Sequence, residues 1–539
     1  MNRIYYNGVI KTLDEAYPEV SAIWVKDGII VRVGDDETIL ALAEADTEKI
    51  DLEGKFALPG FCDSHMHLLI YGTYTQRIDM TNAKTYAEIK EWCMADAPKA
   101  RAEGRWILGS CFNQDYWTDT NKMPDRHDLD EIAEDVPLFL ERACGHICLL
   151  NTKALQICGL WDEKAETTKE TLDFGPDGRP NGYIRENTRL IPKGIIENFS
   201  VEEKKNMIAT ACQNALKQGI VQCHTDDFNV IGDDDVEENL RVFKELDEEG
   251  RLPIRICQQS RFLTAAKLQE FIDKGYKAGS MFSKHFKFGP IKIMADGSLG
   301  ARSAAMRQDY ANAPGERGLL LIPDDEIREI YEVAHRNGFD VVNHCIGDKA
   351  LEQALDAIEN AVYKYPRPDW RHGIVHCQIM DEELQDRFKE LNVLAYVQPV
   401  FVKADSLVVD DAVGPELAKQ SYNWRRYIDL GVHMSGGSDC PVEPFDILPN
   451  IYYAVTRMGF SGEPWYPENA VTLDEAVRMF TVEAAYASYD EATRGTLGVG
   501  KYCDMVVLDR NIYERPVEEL LETQVLMTIV DGEVAYRKE

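Results

Sequence analysis

Short hydrophobic segments that alternate with polar residues occupy both ends of the chain. Residues 3–57 contain IYYNGVIKTL, SAIWVKDGIIVRVG and KIDLEGKFALPG, which are separated by Asn-Gly, Asp-Gly and Glu-Gly turns. The carboxyl-terminal part repeats this style in CDMVVLDR and VLMTIVDGEVAY. Alternation with period two between such turns predicts β-strands. Because each end alone has too few strands to bury a face, we expect residues 1–57 and 497–539 to form one small β-domain.

Between the two ends, apolar strand-like runs alternate with amphipathic stretches of helical length. Helical patterns occupy residues 201–218, 349–365 and 381–391. The strand-like runs end near Asp63, His224, Gln259, Lys292, His344, His376, Gln398 and Ser438. This alternation predicts βα units and a parallel sheet. Eight strands predict an α/β fold in which residues 58–496 form a closed (β/α)8 barrel, the TIM barrel.

One long interval, between strand 1 and strand 2, interrupts this rhythm. Residues from about 104 to 190 contain their own strands and a segment rich in Gly and Pro, FGPDGRPNGYI. We interpret them as an inserted subdomain. Loops at the carboxyl ends of barrel strands build binding sites, so we expect the insertion to lie over the barrel mouth and shape the substrate pocket. Alternatively, the insertion is exposed to solvent and does not contact the substrate.

Composition and charge narrow the class of partner. The chain has 539 residues, 45% of them hydrophobic, with 59 basic against 93 acidic residues and a net charge of -34. This balance argues against nucleic acid and anionic membrane as partners, because both need a basic protein surface. No signal-peptide pattern and no apolar run of about eighteen residues occur, so we expect a cytoplasmic protein. The 13 cysteines contain no C-x-x-C pair, which favours reduced, mostly buried thiols.

Candidate chemistry lies at the ends of the predicted strands. In PGFCDSHMH, His65 and His67 are spaced i and i+2, so on a strand they point to the same side and can bind one metal ion. Lys292 follows strand 4, and His344, His376 and Asp439 follow strands 5, 6 and 8. Taken alone, each histidine could be a hydrogen-bonded core residue, and Lys292 could simply reach an internal carboxylate. Their order along the barrel, all at one face, favours a metal centre.

These motifs resemble the amidohydrolase superfamily of metal-dependent hydrolases, from Asn2 to the end of the chain. The resemblance is carried by PGFCDSHMHL near the amino terminus, and by GTLGVGKYCDMVVLDRN and TIVDGEVAY near the carboxyl terminus. Within the superfamily, SCFNQDYW, RACGHICLLNTKAL and IKIMADGSLGARSAAM are similar to the branch of YtcJ-like proteins and N-substituted formamide deformylase. The resemblance implies a TIM barrel with a small β-sandwich domain built from both chain ends. It does not identify the substrate.

The resemblance also implies a centre of two divalent metal ions. In that case His65 and His67 bind the first ion together with Asp439, and His344 and His376 bind the second. Lys292, carboxylated by carbon dioxide, bridges the ions through its carbamate oxygens. An anionic bridge would offset the repulsion between two nearby cations. Imidazole and carboxylate ligands suit zinc best, so two zinc ions are expected. A mononuclear site with Lys292 engaged elsewhere is the alternative.

A mechanism follows from these charges. A metal-bound water becomes a hydroxide near neutral pH and can attack a carbonyl carbon, while Asp439 moves the proton to the leaving amine. Alternatively, Asp439 only ligates. We therefore expect a metal-dependent hydrolase that cleaves a non-peptide carbon–nitrogen bond in an amide, N-acyl amine or N-formyl amine. The alternatives are a mononuclear deaminase of a cyclic amidine and a non-catalytic barrel that binds a small molecule. Oligomeric state stays open, with a homodimer among the alternatives.

Several further residues are candidates for contact with substrate. Asp115, Trp117 and His146 lie in the insertion at positions that match the branch pattern, although Trp117 is as well explained as a packing anchor. Asp296 and Arg302 follow Lys292 in ADGSLGARS, where they could orient substrate or hold the glycine-rich loop through a salt bridge. His224, in QCHTDD on strand 2, is a candidate to contact a metal ligand without binding the metal itself.

Overall fold

The computed structural model describes residues 1–114, 117–120, 122–142, 147–161, 171–229 and 236–539. The chain divides into two compact units. The first includes Met1–Leu68 and most of the chain after residue 210, and the second is built from residues within Leu69–Thr210. The second unit extends further on both sides than the predicted insertion of about 104–190.

The first unit begins with seven short strands and one helix. They are β1 Asn2–Tyr6, β2 Val9–Lys11, β3 Glu19–Val20, β4 Ala22–Lys26, β5 Ile29–Gly34, α1 Asp36–Leu40, β6 Glu48–Asp51 and β7 Phe56–Pro59. The next strand, β8 (Phe61–Met66), is the first strand of the barrel and is buried along its whole length. It carries the first predicted ligand.

The second unit contains a six-stranded sheet with the order β13-β14-β12-β11-β10-β9. Its longest helix, α3, starts at a capping box between Thr85 and Glu88 and ends at Gly104 in the left-handed conformation. The elements in this part of the chain are α2 Leu68–Tyr74, β9 Ile78–Asp79, α3 Tyr86–Glu103, β10 Ile107–Phe112, α4 Arg126–Asp130, β11 Leu138–Arg142, β12 Ile147–Leu150, α5 Thr152–Ile157, β13 Leu172–Phe174, β14 Pro180–Arg185, a 3-10 helix Glu186–Arg189, α6 Leu190–Ile196 and α7 Val201–Lys217.

The barrel continues with seven further strands, each separated from the next by one or more helices or by a long loop. The strands are β15 Ile220–Thr225, β16 Arg255–Arg261, β17 Phe286–Met294, β18 Val341–Cys345, β19 Gly373–His376, β20 Leu394–Val397 and β21 Met434–Gly436. The helices are α8 Val236–Glu248, α9 Ala265–Asp273, α10 Asp324–Arg336, α11 Asp348–Lys364, α12 Glu382–Glu390, α13 Phe401–Asp405, α14 Val409–Val413, α15 Pro415–Ala418, α16 Trp424–Leu430, α17 Ile447–Thr456, α18 Leu473–Met479 and α19 Val482–Ala487, with a 3-10 helix Pro467–Asn469. The three helical patterns predicted from the sequence correspond to α7, α11 and α12.

Strands β8 and β15–β21 form one parallel sheet in chain order. The sheet is nearly closed, because β21 lies beside β8: the Ser64 hydroxyl donates to Gly436 O at 2.6 Å, and Asp439 N donates to His65 O at 2.8 Å. A Cβ at Gly437 would lie 2.6 Å from His65 N, so only glycine allows this close approach. The predicted eight-stranded barrel is confirmed, and each predicted strand end lies within a few residues of an observed one.

The chain ends with β22 Met505–Leu508, a 3-10 helix Val517–Leu521, β23 Val525–Val530 and β24 Glu533–Arg537. Strand β22 pairs with β7, which joins both chain ends in a six-stranded sheet of order β24-β23-β22-β7-β2-β3. A four-stranded sheet has the order β5-β4-β1-β6. Side chains from both sheets, including Tyr5, Ile23, Met505 and Ile529, pack into one hydrophobic cluster.

The described residues bear on the expected state of the cysteines and on the expected lack of a membrane-spanning segment. Every cysteine there is a free thiol, and all but Cys111 are buried, as predicted. Among the described helices, none is both long enough and apolar enough to cross a membrane.

Candidate metal centre

The six predicted metal ligands lie at one end of the barrel. His65 is in β8 and His67 directly follows that strand. Lys292 is in β17, His344 in β18 and His376 at the end of β19, and Asp439 follows β21 by three residues. Because the strands are parallel, their carboxyl ends share one face, where TIM-barrel enzymes build their active sites. Single residues on separate strands are thereby brought into one cluster.

The donor atoms of this cluster approach one another closely. Oδ1 of Asp439 lies 3.3 Å from Nε2 of His65 and 3.2 Å from Nε2 of His67. Donor atoms of His65, His376 and Asp439 lie within 4.8 Å of one another, and the rings of His344 and His376 are 4.4 Å apart. Within the described part of the chain, Nε2 of His65 is buried and has no hydrogen-bond partner. A buried acceptor without a donor, facing a carboxylate, fits a divalent cation.

Two glutamines orient the imidazoles of His65 and His376. Gln259, in β16, donates from Nε2 to Ser64 O at 3.1 Å and accepts from Nδ1 of His65 at 2.6 Å. Gln398, after β20, donates to Tyr396 O at 3.3 Å and accepts from Nδ1 of His376 at 2.9 Å. A carbonyl oxygen only accepts, so Nδ1 carries the hydrogen and Nε2 presents its lone pair. Such outer partners hold metal-binding histidines in one tautomer.

Backbone carbonyls orient the other two imidazoles. Nδ1 of His67 donates to Asp226 O at 3.2 Å, which leaves Nε2 facing Asp439. Nε2 of His344 donates to Gly297 O at 3.0 Å, which leaves Nδ1 as the nitrogen without a hydrogen. Each of the four histidines therefore keeps one lone pair available.

Backbone conformation at two ligands departs from the strand geometry. His376 has φ +81° and Asp439 has φ +60°, in the left-handed region that non-glycine residues rarely adopt. Val375, immediately before His376, packs with Tyr396 and Val342 in a buried cluster. The left-handed turn allows the next residue to point to the metal cluster, although strict alternation would turn it away. Backbone strain of this kind is concentrated at functional sites.

Asp63 fastens the loop that carries Asp439 to the first barrel strand. Its carboxylate accepts from Ser438 N and His65 N, both at 3.1 Å, and from the Ser438 hydroxyl at 2.5 Å. Complete burial raises the pKa of Asp63 to about 7, although these hydrogen bonds oppose the rise. This group sets the separation between His65 and Asp439.

The electrostatics of the cluster favour the metal-binding forms of its side chains. Burial first, and the charge of Lys292 second, lower the pKa of His65 and bring that of His344 to about 3. Burial and the neighbouring His344 hold the pKa of His376 well below its ordinary value. Burial opposes ionisation of Asp439, but the imidazoles of His65 and His67 keep its pKa well below the ordinary range. Burial opposes protonation of His67, but the hydrogen bond and the charge of Asp439 outweigh it and raise the pKa of His67. At neutral pH, His65, His344 and His376 are therefore neutral imidazoles, and Asp439 is a carboxylate.

Lys292 is 1% exposed in the interior of the barrel. Burial lowers the pKa of its ammonium to about 8, although the charge of Asp226 opposes this effect. In the ranges that the structure describes, Lys292 makes no hydrogen bond and no ion pair. The carboxylate of Asp226 is instead held by Arg261, whose Nε donates to Oδ2 at 2.9 Å. Lys292 therefore does not have the internal carboxylate partner that the alternative interpretation requires.

Two of the residues predicted to contact substrate, Trp117 and Asp296, are engaged within the protein. Trp117 is 8% exposed and packs against Phe112 in the core of the second unit, as a packing anchor would. Asp296 is fully buried and accepts from the backbone N–H groups of Ala305, Ile346 and Gly347 at 2.8–3.0 Å. It holds the loop after β17 to the loop after β18 through the backbone, and it makes no salt bridge with Arg302.

The remaining candidates differ in their environment. Arg302 is exposed and has φ +53°. Asp115 and His146 lie outside the described residues. His224 is fully buried on β15, but within the described ranges neither ring nitrogen has a hydrogen-bond partner. It therefore does not orient any ligand through a hydrogen bond.

Four positioning residues were missed by the sequence analysis: Gln259, Gln398, Asp63 and Asp226. A signal for the first two was present, because both stand at the ends of predicted strands that supply no ligand. A polar residue at the carboxyl end of a barrel strand faces the mouth as a ligand would. Asp63 also stands at the end of a predicted strand, but its contact with Ser438 depends on a loop whose geometry the sequence does not specify. Asp226 gave no comparable signal.

Comparison with known proteins identifies the family. A family model described as the amidohydrolase family matches residues 48–536. The chain belongs to the amidohydrolase family. This amidohydrolase is 27% identical to YtcJ of Bacillus subtilis over 543 residues, with all of both chains covered. It is 25% identical to the N-substituted formamide deformylase of Arthrobacter pascens, over 99% of this chain and 98% of that protein.

A solved structure gives the same assignment. An uncharacterized metal-dependent hydrolase from Pyrococcus furiosus superposes with a TM-score of 0.78 and 29% identity, covering 95% of this chain and 99% of that chain. The resemblance inferred from PGFCDSHMHL and the strand-end ligands is therefore confirmed at the level of the family. The eight-stranded barrel and the cluster of His65, His376 and Asp439 agree with a metal-dependent hydrolase.

Proposed function

We propose that this amidohydrolase cleaves a non-peptide carbon–nitrogen bond in an amide, N-acyl amine or N-formyl amine. The observation that carries the proposal is the position of the Asp439 carboxylate, which faces Nε2 of both His65 and His67 inside the buried histidine cluster. A carboxylate in this position can ligate a cation and also exchange a proton with a bound substrate. The similarity to N-substituted formamide deformylase over nearly the whole chain supports this bond type.

We further propose that this donor set binds two divalent ions, and that these are zinc, because imidazole and carboxylate ligands suit it. His65, His67 and Asp439 would hold the first ion, and His344 and His376 the second. Lys292 would bridge them after carboxylation of its buried amine, a change that replaces an unpaired ammonium with an anion. When bound, the metal supplies a Lewis acid and a water of lowered pKa. A mass increment of one carbon dioxide, lost in the Lys292→Met variant, is the expected sign of the carbamate.

The protein's own residues then perform three tasks. Gln259 and Gln398 hold His65 and His376 in the tautomers that leave Nε2 free. Asp63 fixes the distance between the loop of Asp439 and β8. Asp439 accepts the proton of the attacking water and donates it to the nitrogen of the departing amine. Because the cluster is buried, competing water is restricted and the electrostatic interactions are strong.

The reaction can be tested by incubating metal-loaded protein with a panel of N-formyl and N-acyl amines and measuring the primary amine released. We expect turnover of at least one member and its loss in Asp439→Asn, with Asp429→Asn, an exposed position on α16, as the matched control. Absence of amine release from every member would contradict the proposal. Release of ammonia from a cyclic amidine, with one metal ion per chain, would favour the deaminase alternative.

Two architectural expectations complete the proposal. We infer that the two terminal sheets together make a β-sandwich, since Tyr5 and Ile23 of one sheet share a hydrophobic cluster with Met505 and Ile529 of the other. We further propose that the second unit supplies contacts to the substrate, which its insertion after the first ligand-bearing strand supports.

A further inference from the structure

A half-buried carboxylate, Asp405, lies at the mouth of the barrel beside the metal cluster. It ends α13 and stands four residues after Phe401, so both side chains lie on one face of that helix. The ring of Phe401 stacks on the imidazole of His376, with 5.9 Å between the ring centroids and 20° between the planes. One helical turn advances about 5.4 Å, so Asp405 lies one turn beyond a side chain that contacts a predicted metal ligand. It is therefore placed to meet the part of a substrate that projects from the centre.

Gln378 connects the same carboxylate to the strand that carries His376. It follows His376 by two residues and is 4% exposed. Its Nε2 donates to Oδ2 of Asp405 at 3.3 Å, and the hydroxyl of Tyr422 donates to the same oxygen at 2.6 Å. Both donors use Oδ2, and among the described residues none donates to Oδ1. The carboxylate is therefore held in place with one oxygen available to a ligand.

The polar atoms left over at this position are all acceptors. Oε1 of Gln378 belongs to the same planar amide as Nε2, so it lies beside the carboxylate of Asp405, and no donor in the described part of the chain reaches it. The oxygen of a buried amide rarely stays unpaired. Carboxylate and amide oxygens only accept hydrogen bonds. A ligand that binds here must therefore supply donors.

A second carboxylate, Glu443, adds negative charge to this position. It follows Asp439 by four residues, in the loop after β21, and β21 is paired with β20, the strand that precedes α13. Glu443 is half-buried, and within the described ranges it has no hydrogen bond and no ion pair. Burial raises the pKa of Asp405 to about 6, and burial followed by the charge of Asp405 raises the pKa of Glu443 to about 7. The exposed Lys403 opposes the second effect but pairs with neither carboxylate, so the position lacks a matching cation.

We propose that Asp405 and Glu443 select substrates that carry an ammonium group away from the scissile carbon–nitrogen bond. The ammonium donates to Oδ1 of Asp405 and to Oε1 of Gln378, and the two carboxylates balance its charge. The apolar link between the ammonium and the scissile bond packs beside the ring of Phe401. The net charge of -34 favours the approach of a cationic substrate. The inference rests on the proposed function, because it names the class of N-acyl or N-formyl amine that the centre would accept.

Binding can be measured separately from turnover. Pentylammonium is the probe and pentanol is its uncharged counterpart, each titrated calorimetrically into the metal-loaded full-length protein. We expect pentylammonium to bind, and Asp405→Asn and Glu443→Gln each to weaken it by about tenfold or more, because each removes one charge that acts on the ammonium. Asp411→Asn and Glu390→Gln, at exposed positions of α14 and α12, are the matched controls and should bind it normally. Unchanged binding in Asp405→Asn and Glu443→Gln, equal binding of pentanol, or displacement of pentylammonium by magnesium ions would overturn the proposal.

Kinetics distinguish this specificity from the reaction itself. Mono-N-formyl diamines with spacers of increasing length are compared with N-formyl alkylamines in which a methyl group replaces the ammonium. We expect kcat/KM of the best charged substrate to exceed that of its neutral counterpart by about tenfold or more, and Asp405→Asn to abolish the difference chiefly through KM, whereas Asp411→Asn retains it. Equal hydrolysis of charged and neutral substrates would refute the specificity and leave the reaction supported. Binding of pentylammonium without hydrolysis of any amide would contradict the reaction and support the cation site.

Discussion

Gln398 determines which nitrogen of His376 is available to a metal ion, and this role gives a quantitative prediction. Replacing Gln398 with Leu removes the oxygen that accepts from Nδ1 of His376 at 2.9 Å. The ring then carries a buried N–H without a partner, which costs about 1–3 kcal/mol, or it changes tautomer and presents the wrong nitrogen. This cost corresponds to roughly 5- to 150-fold in affinity, and outer partners of metal-bound histidines typically contribute about 10- to 100-fold. We therefore expect metal binding in Gln398→Leu to weaken by about 10- to 100-fold.

Competition with a chromophoric chelator measures this affinity directly. Gln353→Leu is the matched control, because Gln353 is also buried and donates to Ile322 O and Asp324 but lies on α11, outside the metal cluster. It should lower the free energy of unfolding without a change in metal affinity. Gln398→Glu keeps an acceptor for His376 and should retain affinity. Unchanged affinity in Gln398→Leu would refute the assignment of an orienting role.

Further predictions address the proton path, the pH dependence, the buried charges and the metal. If the carboxylate of Asp439 moves the proton, Asp439→Asn should lower kcat by about 10²- to 10⁴-fold and retain its metal. Metal analysis and kinetics on the same preparation test this, and loss of the metal would show that Asp439 acts only as a ligand. Burial lowers the pKa of His372 to about 3, whereas the unfolded chain has a pKa of about 6.5. The contribution of His372 to the free energy of unfolding is therefore fully present above pH 6.5, and it falls by about 1.4 kcal/mol for each pH unit as the pH is lowered from 6.5 towards 3. Urea unfolding of chelator-treated protein should show a shallower fall for His372→Asn, and an identical slope would contradict this assignment. Arg255→Gln should destabilise the fold by about 3–5 kcal/mol, because it leaves Asp504 buried without its partner at 2.6 Å, and a midpoint shift in chemical unfolding measures this. When the free metal concentration is a thousand times Kd, removing the metal should lower the free energy of unfolding by about 4 kcal/mol. An unchanged Tm after chelation would argue against a bound ion.

The barrel was predictable because its signal repeats along the chain. Each strand is a short apolar run, and each is followed by an amphipathic segment or a long insertion, so eight independent observations support one architecture. The position of the candidate ligands was predictable for the same reason, because the carboxyl ends of parallel barrel strands share one face. By contrast, the second unit begins before and ends after the predicted insertion of about 104–190, because the sequences of α3 and α6 do not differ in pattern from helices of the barrel.

Positions that depend on two loops at once were not predictable. Asp296 illustrates this: the sequence places it after Lys292 and suggests contact with substrate or with Arg302, but its carboxylate is used by backbone N–H groups of its own loop and of the loop after β18. Such a contact depends on the separation of β17 and β18 in space. No pattern of residue types along one strand encodes that distance.

The left-handed residues show why ligand identity and ligand geometry are predicted by different means. His376 follows Val375, whose side chain packs into the barrel interior, so strict alternation would direct the imidazole outward. The turn at φ +81° reverses that direction, and Gln398 then fixes the ring. The histidine is recognisable from its place at a strand end, but its orientation depends on a local strain that the surrounding hydrogen bonds must maintain. The glutamines at the ends of β16 and β20 therefore belong to the proposed centre, because they fix the orientation of two of its imidazoles.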